Sequence, residues 1–189
     1  MKPALRFFAY WFLRSRLYRL KSNVYRWLFE RRFRAVPVSP VKSVDELLPR
    51  LPPSWWRADS FAQAWDAVSY PGRVQSFINR GFPPARGFDC DEFAIYSSAV
   101  ISQSWPGAPV YFLTVLWLEG WKIVGHNVCA YYTRAGYSFV DYREIREGFL
   151  SLKGIAYDVA FEFGGPDCTP LAFAAHRLDL TPEVVERLG

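Results

Sequence analysis

The sequence predicts an α+β fold in which helices come first and an antiparallel sheet follows. Up to residue 104 the apolar residues recur at helical spacing, as in the stretch "CDEFAIYSSAVI". From Val110 onward the chain is rich in β-branched and aromatic residues, in runs that short turn sequences separate. Separate blocks of helix and strand are typical of this class. The 189 residues, 51% of them hydrophobic, predict one domain with a buried core and an appended arm.

The arm comprises residues 1–35 and carries all of the basic excess. It holds ten Lys and Arg residues against Glu30 alone, while the whole chain has a net charge of +5. Neither glycine nor proline occurs after Pro3 in this segment. We therefore predict one basic amphipathic helix of about 30 residues. The apolar residues that recur at helical spacing are Leu13, Leu17, Leu20, Val24 and Leu28.

Three roles are open for the arm. It could pack on the body or on a partner subunit, lie in the interface of an anionic membrane, or contact the phosphates of a nucleic acid. Its apolar run, residues 7–13, is far shorter than the roughly 20 residues of a membrane span. We predict neither a transmembrane helix nor a signal peptide. The three cysteines of such a chain indicate a reducing, cytoplasmic location rather than a disulfide framework.

The next segment, residues 36–56, contains five prolines and is predicted to be a linker to the body, residues 57–189. Within it, "SVDELLPRL" predicts a short helical turn capped by Ser43. Residues 60–80 then predict a helix with Ser60 as N-cap that is interrupted or kinked at Pro71 and Gly72.

Cys90 is predicted to be the first residue of a buried amphipathic helix. Asp89 is a suitable N-cap, and Asp91 and Glu92 fall in the first turn, where the helix dipole favours anions. A cysteine at a helix N-terminus is favoured as the nucleophilic thiolate, although the adjacent carboxylates act in the opposite direction. The competing interpretation of Cys90 is a small apolar residue that fills space in the core.

Three strands are predicted after this helix, and two of them carry candidate partners for the thiol. The runs "VYFLTVLWLEGW", "KIVGHNVCAYYT" and "YSFVDYRE" predict an antiparallel meander. If Tyr132 pairs with Tyr137, then Asp141 is the diagonal neighbour of His126 on one face. Cys129 lies on the opposite face and is predicted to be core. The order Cys90, His126, Asp141 suits a triad of nucleophile, base and orienting carboxylate.

These segments also carry a family resemblance. The motif "DCDEFA" before an apolar helix, followed by "GHNVCAYY" and "YSFVDYRE", resembles the transglutaminase-like branch of the papain-type cysteine fold. Within that branch it is most similar to the bacterial and phage transglutaminase-like cysteine peptidases. The resemblance covers residues 55–145 and implies Cys90 as nucleophile, His126 as base and Asp141 as orienter. Phe88, inserted after Gly87, and Asn127, where the family commonly has Ala, depart from its pattern.

The proposed chemistry also needs donors for an oxyanion. The Cys90 backbone N–H is the first candidate, and the Gln75 side chain is the second, with Asn79 as its rival. We predict no metal site, because Cys90, Cys129, Cys168 and the two histidines lack metal-binding spacing. No phosphate-binding glycine loop is present, so no cofactor is predicted.

Two C-terminal elements complete the sequence-based prediction. The run "GIAYDVAFEFG" is assigned to a further strand, with a short helix as the alternative. The tail "RLDLTPEVVERLG" predicts a short helix with Thr181 as N-cap and Pro182 at its first position.

The functional prediction is a thiol-dependent acyl-transfer enzyme acting on peptide or side-chain amide bonds. Hydrolysis of a peptide or protein substrate is favoured over transfer to an amine. The alternative is a non-catalytic structural or interaction protein, such as a phage virion or assembly component, that reuses the fold and binds a partner through residues 1–35.

Overall fold

The computed structural model describes residues 2–57, 67–85 and 87–189 and contains a six-stranded antiparallel sheet, which confirms the α+β class. The strands are β1 (Val110–Glu119), β2 (Lys122–Thr133), β3 (Gly136–Val140), β4 (Ile145–Phe149), β5 (Thr169–His176) and β6 (Pro182–Arg187). Their order in the sheet is β4-β3-β2-β1-β5-β6. The helices are α1 (Lys2–Arg14), α2 (Arg16–Phe29), α3 (Pro71–Arg80), α4 (Cys90–Ser104) and α5 (Leu152–Gly164).

Helices cover both faces of the sheet. Alternate residues of a strand point to opposite faces. Phe112 and Leu116 of β1 accordingly pack with α1 and α4, whereas Leu113 and Val115 pack with α5. The meander predicted for β1, β2 and β3 is confirmed.

The arm forms two helices, so the single helix predicted for it is wrong. Ser15 separates α1 from α2 in an extended conformation, with φ −68° and ψ 148°. Its hydroxyl donates to the Phe12 carbonyl at 2.7 Å and so occupies an acceptor at the end of α1. α1 packs on β5 and β6, where Ala9 and Leu13 are buried in the core.

The proline-rich segment after the arm packs on the body. Val41, Leu47 and Leu51 are buried in a cluster with residues of α4. The helical turn predicted here occurs as two 3-10 turns, Val44–Glu46 and Leu48–Arg50. Ser43 precedes the first turn, but its side chain makes no capping hydrogen bond.

α3 begins at Pro71, which occupies its first turn, and residues 67–70 are not helical. Of the two predicted alternatives, an interruption rather than a kink occurs at Pro71, because the missing N–H of proline suits a helix start. The predicted cap Ser60 lies outside the described residues. Gly72 lets α3 approach the backbone of the arm, since a Cβ would lie 2.3 Å from the Phe33 carbonyl oxygen.

The C-terminal elements differ from the prediction. Leu152–Gly164 is a helix rather than a strand, because Ile155, Ala156, Val159 and Ala160 recur at helical spacing and are buried against the sheet. Residues 182–187 form β6 instead of a helix and pair with β5, whose edge would otherwise be open.

The strand predicted over residues 137–144 is shorter than expected. β3 ends at Val140, and β4 begins at Ile145 after a turn. Within the described parts of the chain, no helix is both long and apolar enough to cross a membrane.

Candidate active site

The first turn of α4 is fixed by a capping box, and the N-cap predicted at Asp89 is confirmed. Asp89 Oδ1 accepts from the N–H groups of Asp91 and Glu92 at 2.9 and 3.2 Å. Glu92 Oε2 accepts from the Asp89 N–H at 3.0 Å. These bonds occupy backbone donors that a helix start otherwise leaves unpaired. Cys90 is thus held as the first residue of the helix.

The other Glu92 oxygen joins a buried ionic cluster, defined as Glu30, Arg73, Glu92 and Ser69. The Arg73 guanidinium contacts Glu92 Oε1 directly and lies 3.4 Å from Glu30 Oε1. The Ser69 hydroxyl donates to Glu30 Oε1 at 2.9 Å. The arm therefore contributes Glu30 to a structure that supports the start of α4.

The Cys90 sulfur lies at the open edge of β2. The Tyr132 N–H donates to the Pro109 carbonyl oxygen, at the edge of β2 that pairs with β1. Because N–H directions alternate, the Asn127 N–H points to the other edge. The pairing of β2 with β3 ends at Cys129, so this part of the edge is open. The Asn127 backbone N–H hydrogen-bonds Cys90, and Asn127 Nδ2 lies 4.0 Å from its sulfur.

His126 lies beside Asn127 in the chain but faces the other side of the sheet. Its ring stacks on Phe163 of α5, with 3.7 Å between ring centroids. Val128 and Ala130, predicted to share its face, pack with α5 as well. The described residues show no hydrogen bond between Cys90 and His126.

Asp141 meets His126 as the predicted register requires. Tyr132 pairs with Tyr137, and continuing that register places Asp141 opposite Val128, directly after β3. His126 Nε2 and Asp141 Oδ2 are 3.9 Å apart. Both atoms are buried, and neither has a hydrogen-bond partner among the described residues.

A turn and an arginine hold the Asp141 carboxylate. Its Oδ1 accepts from the N–H groups of Arg143 and Glu144 at 2.7 and 2.9 Å. Its Oδ2 lies 3.6 Å from Arg143 Nε. The Arg143 guanidinium also lies 4.2 Å from the centroid of the Phe163 ring. Arg143 and His126 thus lie near the same carboxylate oxygen.

The electrostatics keep both the thiol and the imidazole neutral. Burial, followed by the carboxylates of Asp91 and Asp89, raises the pKa of the Cys90 thiol well above its ordinary value. Burial, followed by the positive charge of Arg143, lowers the pKa of His126 to about 3. Burial also raises the pKa of Asp141. A thiolate–imidazolium pair is therefore disfavoured in this conformation.

A segment that we call the strap, residues 51–57, packs against Phe88 and Tyr142 near the start of α4. The Arg57 N–H donates to the Phe88 carbonyl and the Phe88 N–H to the Trp55 carbonyl, both at 2.8 Å. Trp56 stacks on Tyr142 with ring centroids 4.7 Å apart. The cavity between strap and helix start has a volume of about 10 Å³, room for about one water. Cys90 is only 4% exposed.

Gly87 permits the close contact of the strap. Its φ is +74°, and a Cβ there would lie 2.7 Å from the Trp55 carbonyl oxygen. Phe88 is 3% exposed and pairs with the strap through its backbone. Phe88 therefore joins the strap to the start of α4.

Gln75 has partners other than Cys90. Its Oε1 accepts from the Ser39 N–H at 2.8 Å and from the Tyr96 hydroxyl at 3.1 Å. Its Nε2 donates to Asn79 Oδ1 at 2.7 Å, so the two candidate oxyanion donors bind each other.

Asn127 is the polar residue that sequence reasoning did not single out for the site. Its Nδ2 contacts Asp91 Oδ1 and lies near the Cys90 sulfur. Strand alternation was the available signal, because it puts Asn127 on the same face as Cys129, which packs with α4.

Within the described residues, no group of three or more His, Cys, Asp or Glu side chains could hold a metal ion. No protein-family model matches the chain, and no curated protein sequence matches it.

Proposed function

We propose that the protein is a thiol-dependent acyl-transfer enzyme that cleaves peptide or side-chain amide bonds through Cys90, with a transglutaminase-like arrangement of its site. The observation that carries the proposal is the meeting of three elements at one corner of the sheet. Cys90 contacts the residue next to His126, and His126 Nε2 faces Asp141 Oδ2 at 3.9 Å.

The arrangement of His126 and Asp141 supports a chemical role. In a triad the carboxylate orients the imidazole by accepting from one ring nitrogen, and the other ring nitrogen takes the proton of the nucleophile. His126 Nε2 faces Asp141 Oδ2 at 3.9 Å, so Nε2 is the nitrogen that Asp141 would orient and Nδ1 is the proposed base. A buried polar atom without a hydrogen bond calls for an explanation, and His126 Nε2 is such an atom.

The reaction follows from ordinary thiol chemistry. His126 takes the thiol proton as the Cys90 sulfur attacks the carbonyl carbon. The C–N bond then breaks, and the amine leaves with that proton. Water next gives a proton to His126 and attacks the thioester, the C–S bond breaks, and the proton returns to sulfur. The Cys90 N–H and Asn127 Nδ2 are the donors proposed for the oxyanion, which replaces Gln75 in that role.

The conformation described here is the closed, resting state in this proposal. Cys90 is only 4% exposed, so a peptide cannot reach its sulfur, and its thiol is protonated. Substrate binding displaces the Trp56–Tyr142 stack, and the His126 ring turns from Phe163 towards the sulfur. Solvent that enters with the substrate reduces the burial that now disfavours both charged forms.

The first experiment is alkylation by iodoacetamide, measured for each cysteine by mass spectrometry. Cys129 is an internal control, because it is fully buried and burial raises its pKa to about 12. We expect Trp56→Ala to increase labelling of Cys90 at neutral pH by about tenfold or more over Cys129. Adding His126→Gln should remove that gain. Equal labelling with and without His126 would contradict a thiol–imidazole pair.

Turnover is then measured on fluorescently labelled, denatured casein as a general protein substrate. We expect slow hydrolysis by Trp56→Ala and none by the Trp56→Ala, Cys90→Ser double variant. Persistent hydrolysis in the double variant would exclude Cys90 as nucleophile.

A second candidate function is the non-catalytic interaction protein. The raised pKa of Cys90 and the lowered pKa of His126 favour it, because they describe a thiol and a ring that stay neutral. In that case Cys90 would label no faster than Cys129 in any variant, including Trp56→Ala.

A further inference from the structure

α2 has an inverted distribution of polarity. Its side facing the body is polar: Ser22 and Arg26 are buried, with Arg26 donating to the carbonyls of Val68 and Ser69 at 2.8 Å. Its outer side is apolar, and Leu20 and Trp27 are 59% and 65% exposed. Helices at the surface of a soluble domain normally have the opposite arrangement.

The apolar side of α2 continues onto α1. The two helices line a groove of about 710 Å³, which we call the arm groove. Its most exposed lining residues are Phe8, Trp11, Leu17, Leu20, Val24, Leu28 and Phe29. Trp27, which is 65% exposed and follows Val24 by three residues on the same helix, extends this apolar surface. Contiguous apolar surface of this kind marks an interaction site, whereas scattered single residues do not.

The surroundings of the arm groove are cationic. Arg14, Arg31, Arg32 and Arg34 are exposed at the ends of α1 and α2. The only carboxylate in residues 1–35, Glu30, is buried in the ionic cluster with Arg73 and adds no negative charge to the surface. Among the described residues, the groove therefore combines apolar side chains with arginines that no exposed carboxylate of the arm balances.

We propose that the arm groove docks the protein on a membrane surface that contains anionic lipids. Apolar burial at the headgroup boundary and attraction to anionic headgroups are the two contributions to binding by interfacial helices. A second copy of the chain fits less well, because it would bring two cationic rims together. A nucleic acid would satisfy the arginines but leave aliphatic Leu17, Leu20 and Val24 without a function.

The test is co-sedimentation of the full chain with vesicles. Phosphatidylcholine vesicles with about one third phosphatidylserine are compared with vesicles of phosphatidylcholine alone. We expect binding to the anionic vesicles that weakens as salt concentration rises. The Leu20→Ser, Trp27→Ala double variant should lose at least tenfold in binding. Both side chains are exposed, so the fold should be retained, as circular dichroism would check.

The matched control removes the same residue types elsewhere. Leu150→Ser and Trp121→Ala alter side chains that are 99% and 81% exposed in turns of the sheet, and binding should not change. For the charges, Arg31→Gln with Arg34→Gln should weaken binding by about 20- to 30-fold, as two charges near an anionic surface imply. Lys122→Gln with Arg134→Gln should leave it unchanged.

Three outcomes would overturn the proposal. Equal binding to neutral and anionic vesicles would show that the arginines do not contribute to membrane binding. Dimerisation that depends on Leu20 and Trp27, without vesicle binding, would assign the groove to a second copy. Binding to an oligonucleotide that depends on the arginines but not on Leu20 and Trp27, without vesicle binding, would assign the arm to nucleic acid. None of these results depends on Cys90.

Discussion

Two buried polar clusters lie on either side of the first turn of α4, and they differ in how their ionisable groups are paired. In the ionic cluster, Arg73 contacts both Glu30 and Glu92, and Ser69 bridges the two carboxylates. In the candidate site, His126 Nε2 and Asp141 Oδ2 face each other without a hydrogen bond. Neighbouring residues of one helix turn, Cys90 and Glu92, belong to the two clusters.

This difference predicts a stabilising role for the ionic cluster and a chemical role for the candidate site. Pairing satisfies the desolvated charges of the ionic cluster, which ties the arm and α3 to the start of α4. A buried polar atom without a hydrogen bond, such as His126 Nε2, costs free energy of folding, and a chemical role is one explanation for such a cost. The ionic cluster should therefore respond to mutation through stability, and the candidate site through pH and reactivity.

The largest expected effect is in the ionic cluster. Arg73→Ala leaves Glu30 and Glu92 buried without their cation, which should lower the free energy of unfolding by about 3–5 kcal/mol. Urea denaturation followed by circular dichroism measures this change. Arg19→Ala is the control, because it removes a more exposed pair with Asp179 and should cost at most about 1 kcal/mol. A similar decrease in the free energy of unfolding for both variants would contradict the stabilising role of the ionic cluster.

A smaller effect is expected from pH on His126. Its pKa falls from 6.5 to about 3 on folding. Between these two values His126 binds a proton in the unfolded chain but not in the folded chain. Stability should therefore decrease as pH falls through this window, by about 1.4 kcal/mol per pH unit. Between pH 6.5 and 5 the loss should be about 2 kcal/mol greater in wild type than in His126→Gln.

Urea denaturation of both proteins at each pH measures that difference. Comparison with the variant cancels the opposing contribution of Asp141 and the contribution of His176, whose pKa burial lowers to about 4. Parallel pH profiles would mean that His126 is not held neutral in the fold.

The smallest expected effect concerns Arg143. Its positive charge lowers the pKa of His126, and its guanidinium lies 3.6 Å from the Asp141 oxygen that faces the ring. Arg143→Ala should therefore raise the pKa of His126 and let Asp141 pair with it. The measurement is an NMR titration of the two imidazoles, assigned with His126→Gln. An unchanged pKa in Arg143→Ala, as expected for Arg134→Ala, would show that Arg143 has no such influence.

Local sequence was sufficient for much of the corner around Cys90. The N-cap at Asp89 and the helix start at Cys90 depend on residues within one turn. The pairing of Tyr132 with Tyr137 follows from the short turn between β2 and β3. That register is why the closeness of His126 and Asp141 could be predicted.

Long-range packing determined what the sequence could not indicate. The tail after Thr181 has good helix signals, but the edge of β5 makes a strand of it. Periodicity could not reveal that helices cover both faces of the sheet. Alternation along β2 puts Asn127 on the same face as Cys129. It could not show that α4 packs on that face, whereas His126 lies on the face that α5 covers.

The packing of α1 on β5 and β6 has a consequence for synthesis on the ribosome. α1 emerges early, yet the strands that bury Ala9 and Leu13 are made late. Arg19 and Asp179, which form an ion pair, are 160 residues apart. During translation the apolar side chains of α1 therefore lack their packing partners until β5 and β6 have been synthesised. Nascent chains stalled before β5 should bind a holdase chaperone, and chains released after β6 should not.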